Sequence, residues 1–144
     1  MDILNPLPAD VRCPCGTGLS FGECCKKYHD GAPAPTAETL MRSRFSAFVT
    51  GDEAYLLRTW DPDTRPSSLN LAESFAADTG IRFYRLDIIA TVAGMPLDDT
   101  GIVEFEAFYK GAATGSQRER STFYRMQLSD NAPREWVYSA GDIN

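Results

Sequence analysis

The chemistry of this chain is concentrated in one short run, Cys13-Pro-Cys-Gly-Thr-Gly-Leu-Ser-Phe-Gly-Glu-Cys-Cys25. All four cysteines of the protein lie in it, and the single histidine, His29, follows four residues later. A Cys-x-Cys pair, an eight-residue loop and a Cys-Cys pair place four soft donors on two short arms. That is the donor set a tetrahedral Zn²⁺ takes, with thiolates at about 2.3 Å or imidazole at about 2.0–2.1 Å. Gly16, Gly18 and Gly22 permit a tight loop, and Pro14 fixes the backbone between the first two sulfurs. The reading is a zinc module with Cys13, Cys15, Cys24 and Cys25 as ligands and His29 as the rival fourth ligand. If four thiols close the coordination sphere, no position remains for water and the metal is structural. Two disulfides are the competing use of the cysteines, but a bridge between neighbours such as Cys24 and Cys25 is strained. Redox chemistry is the other, although no Cys-x-x-Cys motif precedes a helix here.

A segment this short cannot bury a core, so metal must supply its folding energy. The remaining residues must form the body of the protein. With 144 residues the chain is long enough for one substantial core, and 43% hydrophobic with 24% charged residues is ordinary for a globular protein. A net charge of −6 argues against general nucleic-acid binding through phosphate neutralisation. No apolar run approaches a membrane span, and the N-terminal Met-Asp-Ile-Leu-Asn lacks a charged-then-apolar export pattern. Reduced, clustered thiols without such a pattern read as cytoplasmic.

The chain divides into residues 1–29 (lead-in and zinc module), a Pro-rich linker at 30–35, and an α+β domain at 36–144. In that domain Thr36 is placed to cap a helix whose apolar face holds Ala37, Leu40, Met41, Phe45 and Phe48. Gly51 ends it, Asp52 caps a second helix through Trp60, and a third, weaker one is expected in the stretch Leu69 to Thr79. After Gly80 the period changes to two. Tyr84, Leu86, Ile88, Ala90 and Val92 read as one face of a first strand, and Val103, Phe105, Ala107 and Tyr109 as that of a second. Thr122, Tyr124, Met126 and Leu128 mark a third strand, and Trp136 and Tyr138 a fourth. Helices first and a meander second give an antiparallel four-stranded sheet covered by the helices at 36–60.

The cysteine run resembles the SEC-C motif, the small zinc module named for the C-terminus of the preprotein translocase ATPase. Thr17 stands where serine is usual, and Leu19-Ser20 where lysines are common. The resemblance widens with Leu40-Met-Arg-Ser-Arg-Phe-Ser-Ala-Phe48, Gly51-Asp52, Tyr55-Leu56, Thr59-Trp60 and Glu119-Arg-Ser-x-Phe123. Together these are similar to the YchJ family of small bacterial proteins, over about residues 13–141. The resemblance implies an N-terminal SEC-C motif followed by a domain similar to nuclear transport factor 2, a curved sheet and helices forming a cone. Such domains host enzymes and pure binding modules alike, so the fold does not select a function.

Within the expected cone, Arg44 falls at the edge of the apolar helix face. Arg120 shares parity with Thr122 and Tyr124 and is expected to point inward, so Arg44, Trp60 and Arg120 form the candidate pocket. An alternative role for either arginine is a rim pairing with an acid such as Asp61. No catalytic residue is identified, because the single histidine lies beside the zinc module and no activated nucleophile is evident. Three functions fit. The first is a non-enzymatic zinc-binding interaction or adaptor protein, its zinc module docking on a protein or ribosomal surface and its cone taking a peptide or small ligand. The second is a cone-fold enzyme of isomerase, dehydratase or hydrolase type acting on a small anionic substrate. The third is a thiol redox or metal sensor.

Overall fold

The computed structural model describes residues 3–76 and 80–143. Four helices precede four strands: α1 (Lys26–His29), α2 (Ala37–Thr50), α3 (Glu53–Arg58), α4 (Leu71–Ala76), β1 (Ile81–Ala93), β2 (Thr100–Gly111), β3 (Gly115–Gln127) and β4 (Arg134–Ile143). The strands form one antiparallel meander in sequence order, as the alternating pattern requires. The fold is α+β, as expected. The expected third helix occupies Leu71–Ala76, and residues 77–79 of that stretch lie outside the described ones.

The punctuation of the helices follows local chemistry. The Thr36 hydroxyl accepts from Thr39 N at 3.1 Å and caps α2, and Glu38 sits in the first turn. Gly51 terminates α2 in the left-handed region, and Asp52 caps α3 by accepting from Tyr55 N at 3.1 Å. Asn5 N donates to Thr50 O at 2.8 Å, so the lead-in satisfies a carbonyl at the end of α2.

Helix α2 lies against the sheet through Ala37, Leu40, Met41 and Phe45. These pack with Leu86, Val103, Phe105, Ala107, Phe123 and Trp136 in the main core. Its other side is buried too, at Ser43, Ser46 and Thr50, because the cysteine segment and α3 cover it. Nearly the whole helix is therefore internal.

Three register shifts revise the face assignments. Between Phe83 and Arg85 the first strand carries one extra residue, so Phe83 and Leu86 both reach the core while Tyr84 is 46% exposed. A second shift between Ile88 and Ala90 sends Ala90 and Val92 to the outer face, opposite Glu104 and Ile102. The third lies in β4 opposite Thr122/Phe123. In β3 the inward residues are Gln117, Glu119, Ser121 and Phe123, so the expectation for Thr122 and Tyr124 is corrected; Tyr124 is 39% exposed.

Candidate functional sites

The first site is the cysteine cage. The chain crosses itself there: Cys13 N donates to Leu19 O at 2.8 Å and Phe21 N to Val11 O at 2.7 Å. Gly16 and Gly18 take φ of 90° and 89°, which turns the loop back at little steric cost. The one-turn helix α1 starts directly after Cys25. The four sulfurs lie within 4.8 Å of one another and are all buried. Cys15 and Cys24 Sγ are 3.5 Å apart, and Cys24 and Cys25 Sγ 3.9 Å. A tetrahedral ion bound at about 2.3 Å requires sulfur separations of about 3.8 Å, so the residues present fit a metal ion. All four cysteines are free thiols rather than disulfides.

Electrostatics argue the same way. Hydrogen bonds from Cys15 and Cys25 push the Cys13 thiol well down, while the proximity of Cys13 drives Cys15 up to about 11 and Cys25 further up. Four thiols this close cannot all ionise unless a cation compensates them. Around the sulfurs, Thr17 Oγ1 lies 3.2 Å from Cys24 Sγ and Ser46 Oγ 3.5 Å from Cys13 Sγ. Such contacts orient ligands.

His29 has a different task. Its Nε2 donates to Ser43 O at 2.8 Å, its Nδ1 lies 4.0 Å from Asp52 Oδ2, and its ring packs 4.6 Å from that of Tyr55. Burial pushes its pKa below the usual histidine value, which keeps it neutral. It is a strut between the cage and helices α2 and α3. Arg42 Nη1 to Cys15 O at 2.7 Å and Arg58 Nη2 to Tyr28 O at 3.1 Å add two further ties.

The second site is a cavity of about 300 Å³ between α2 and the concave face of the sheet. Its wall is mainly aromatic and aliphatic, with Phe45, Phe48, Phe83 and Phe105 among the lining. Arg44 is 3% exposed and lines it. Its Nη1 donates to Leu56 O at 2.8 Å and Thr59 Oγ1 at 2.7 Å. The guanidinium carbon lies 5.0 Å from the Trp60 ring and 4.7 Å from the Tyr138 ring. Burial lowers the Arg44 pKa to about 10, which leaves it charged at neutral pH. Trp60 also lines the cavity.

Arg120 does not. It projects from the outer face, with its side chain 44% exposed and Nη1 3.6 Å from Glu104 Oε1, beside the closer Arg118–Glu104 pair at 2.8 Å. The alternation of β3 is masked by its polar inward residues Gln117, Glu119 and Ser121, and Arg120 falls on the opposite, outer face. Asp61 is no partner for either arginine, since its carboxylate accepts from Ser139 Oγ at 3.0 Å and Asp63 N at 3.0 Å. The charged residue missed by sequence reasoning is Glu119. It lines the cavity and accepts from Ser121 Oγ at 2.5 Å. The available signal was its two-residue spacing from Ser121 and four-residue spacing from Phe123, which puts all three on one strand face.

An α+β domain with a helix across a four-stranded meander, preceded by a compact cage of cysteines, defines the class of protein. A family description, "YchJ, middle NTF2-like domain", matches residues 36–141. UPF0225 proteins are similar over nearly the whole length. One from Corynebacterium glutamicum is 57% identical, covering 92% of this chain and 98% of that protein. One from Streptomyces coelicolor is 49% identical, covering 91% and 94%. Two solved structures share the fold. A SEC-C motif containing protein of Psychrobacter arcticus aligns with a TM-score of 0.75 and 27% identity, over 94% of this chain and 84% of that one. A SEC-C motif containing protein of Rhodopseudomonas palustris aligns at 0.72 and 28%, over 92% and 98%. The chain belongs to the YchJ family.

Proposed function

We propose that the protein is a zinc-stabilised, non-enzymatic interaction protein of the cytoplasm. In this reading the cysteine cage docks on a protein surface, ribosomal protein included, and the cone holds a peptide or small ligand. The observation that carries it is the closed, buried set of four sulfurs. All four donors come from thiols, so a bound zinc has no open position for hydrolysis and acts as a structural ion. Cys13, Cys15, Cys24 and Cys25 would hold it. Among the described residues no helix is long and apolar enough to cross a membrane.

The docking surface follows from the same geometry. A cleft of about 160 Å³ opens beside Cys24 and Cys25, lined also by Thr17, Leu19, Glu23 and Tyr28. Leu19 is 48% exposed there. Metal content is the first test. Protein purified without added metal is expected to carry about one zinc per chain, and absence of metal with four freely titratable thiols overturns the reading. Docking is tested by co-sedimentation with purified ribosomes. The wild type is expected to pellet and Leu19→Glu to remain in the supernatant; no pelleting of the wild type removes the ribosomal surface as the partner.

The enzyme reading is favoured by one observation, Glu119 within the cavity, which supplies a carboxylate that can take a proton. The cavity lining contains no histidine or cysteine, so any base chemistry would fall to Glu119 alone. Thiol sensing is disfavoured because reactive cysteines are solvent-accessible, whereas these are between 0% and 8% exposed.

A further inference from the structure

The cavity under α2 contains a specific pattern of hydrogen-bonding groups. Arg44, on one side, is a donor-only side chain that stacks on the Trp60 ring. Only Nη1 of Arg44 is engaged, and the guanidinium makes no ion pair among the described residues. The Nε1 atoms of Trp60 and Trp136 are both buried without a hydrogen-bond partner, so the Trp60 indole presents its ring to the cavity and not an open donor. Among the described residues Glu119 is the one carboxylate lining the cavity, and a carboxylate only accepts. The room it occupies exists because position 141 is a glycine. A Cβ there would collide with the Glu119 carboxylate and come within 2.9 Å of the Tyr138 hydroxyl.

We infer that this compartment takes a small, net-neutral aromatic molecule that offers a carbonyl-type acceptor to Arg44 and an N–H or O–H donor toward Glu119. This rests on the reading of the cone as a ligand compartment and specifies what that compartment selects. The lining carries one positive and one negative side chain, so it is balanced before any ligand enters. An anion would leave an excess negative charge among phenylalanines, and a cation an excess positive one; both are costly away from water. A pure hydrocarbon would leave the remaining Arg44 donors unpaired. The aromatic wall of Phe45, Phe105 and Tyr138 accepts a flat ring, and about 300 Å³ suits one ring system with a compact polar head. The anionic substrate expected from two inward arginines is replaced, because the second arginine lies outside and an acid lies inside.

The test titrates benzamide, benzoate and toluene at millimolar concentration into the ¹⁵N-labelled full-length protein. The readout is the indole N–H signals of Trp60 and Trp136, the two tryptophans of the chain. Trp136 belongs to the core and does not line the cavity, so it serves as the internal control. Benzamide is expected to move the Trp60 signal, leave that of Trp136 in place, and bind about tenfold more tightly than benzoate or toluene. Glu119→Gln removes the resident anion and is expected to tighten benzoate about tenfold. If that variant does not fold, the wild-type ranking alone decides. Benzoate or toluene ranking first in the wild type overturns the selectivity and leaves the compartment standing. No shift of the Trp60 signal with any probe overturns the compartment as well.

Discussion

The two candidate sites lie on opposite sides of the same helix and are built by opposite means. The cage is made from consecutive sequence: thirteen residues supply every sulfur, and its loop closes through its own backbone hydrogen bonds. The cavity is made from residues scattered between Met41 and Tyr138, and none of its polar members is a sequence neighbour of another. The cage is a cluster of buried thiols whose spacing fits a cation. In the cavity, Arg44 is already stabilised by two aromatic faces and two hydrogen bonds while the rest of its lining is unfilled. Helix α2 separates them. Its Met41 and Phe45 face the cavity, whereas Ser43 and Ser46 meet His29 and Cys13. Small hydroxyl side chains let the cage approach closely, so the two sites share one wall.

The largest expected effect comes from breaking the cage. Cys15→Ala should abolish stoichiometric metal and cost about 3 kcal/mol, on the order of 10 °C in Tm. Chelation of the wild type followed by hydrogen exchange sharpens the comparison. Residues 12–29 should lose protection, and so should α2 amides beneath the cage, because His29, Arg42 and Ser46 join the two. The strands from 81 to 138 should stay protected. Exchange confined to residues 12–29 would show that the shared wall does not couple the sites.

Arg44→Met comes next. It removes hydrogen bonds to Leu56 O and Thr59 Oγ1 and two cation–π contacts, and it relieves the burial of a charge. A loss of about 1–3 kcal/mol in denaturant unfolding is expected. A gain in stability would mean that the arginine is held in place for a ligand at the expense of the free protein.

The single histidine provides a pH-dependent probe of the contact between cage and α2. The His29 pKa is lowered in the fold by burial, so below its ordinary value near 6.5 the unfolded chain binds the proton that the folded one refuses. Stability from this group is complete above about pH 6.5 and is lost as pH falls toward the lowered value. Acidification from pH 7.5 to 5.5 should therefore destabilise the wild type more than His29→Gln, by about 1 kcal/mol. Equal losses would place the histidine in a solvated setting.

Arg120→Leu should have the smallest effect, within about 0.5 kcal/mol, because Arg120 is an exposed residue whose acid is already served by Arg118. A larger loss from Arg120→Leu than from Arg44→Met would reverse the assignment of inner and outer faces.

Sequence alone determined the cage, because its four cysteines are near neighbours in the chain and fold together through local backbone hydrogen bonds. It also determined the α+β order and the caps at Thr36 and Asp52, which depend on local hydrogen bonds. The tertiary structure decided which face of each strand is inside. A one-residue bulge at Tyr84 or Ile89 inverts every later side chain, and nothing in the local composition announces it. It also placed Glu119 inside and Arg120 outside. An inward carboxylate defies hydrophobic alternation and is tolerated only because Ser121, the gap at Gly141 and the opposing charge of Arg44 receive it. Those three come from different parts of the chain, and only folding brings them together.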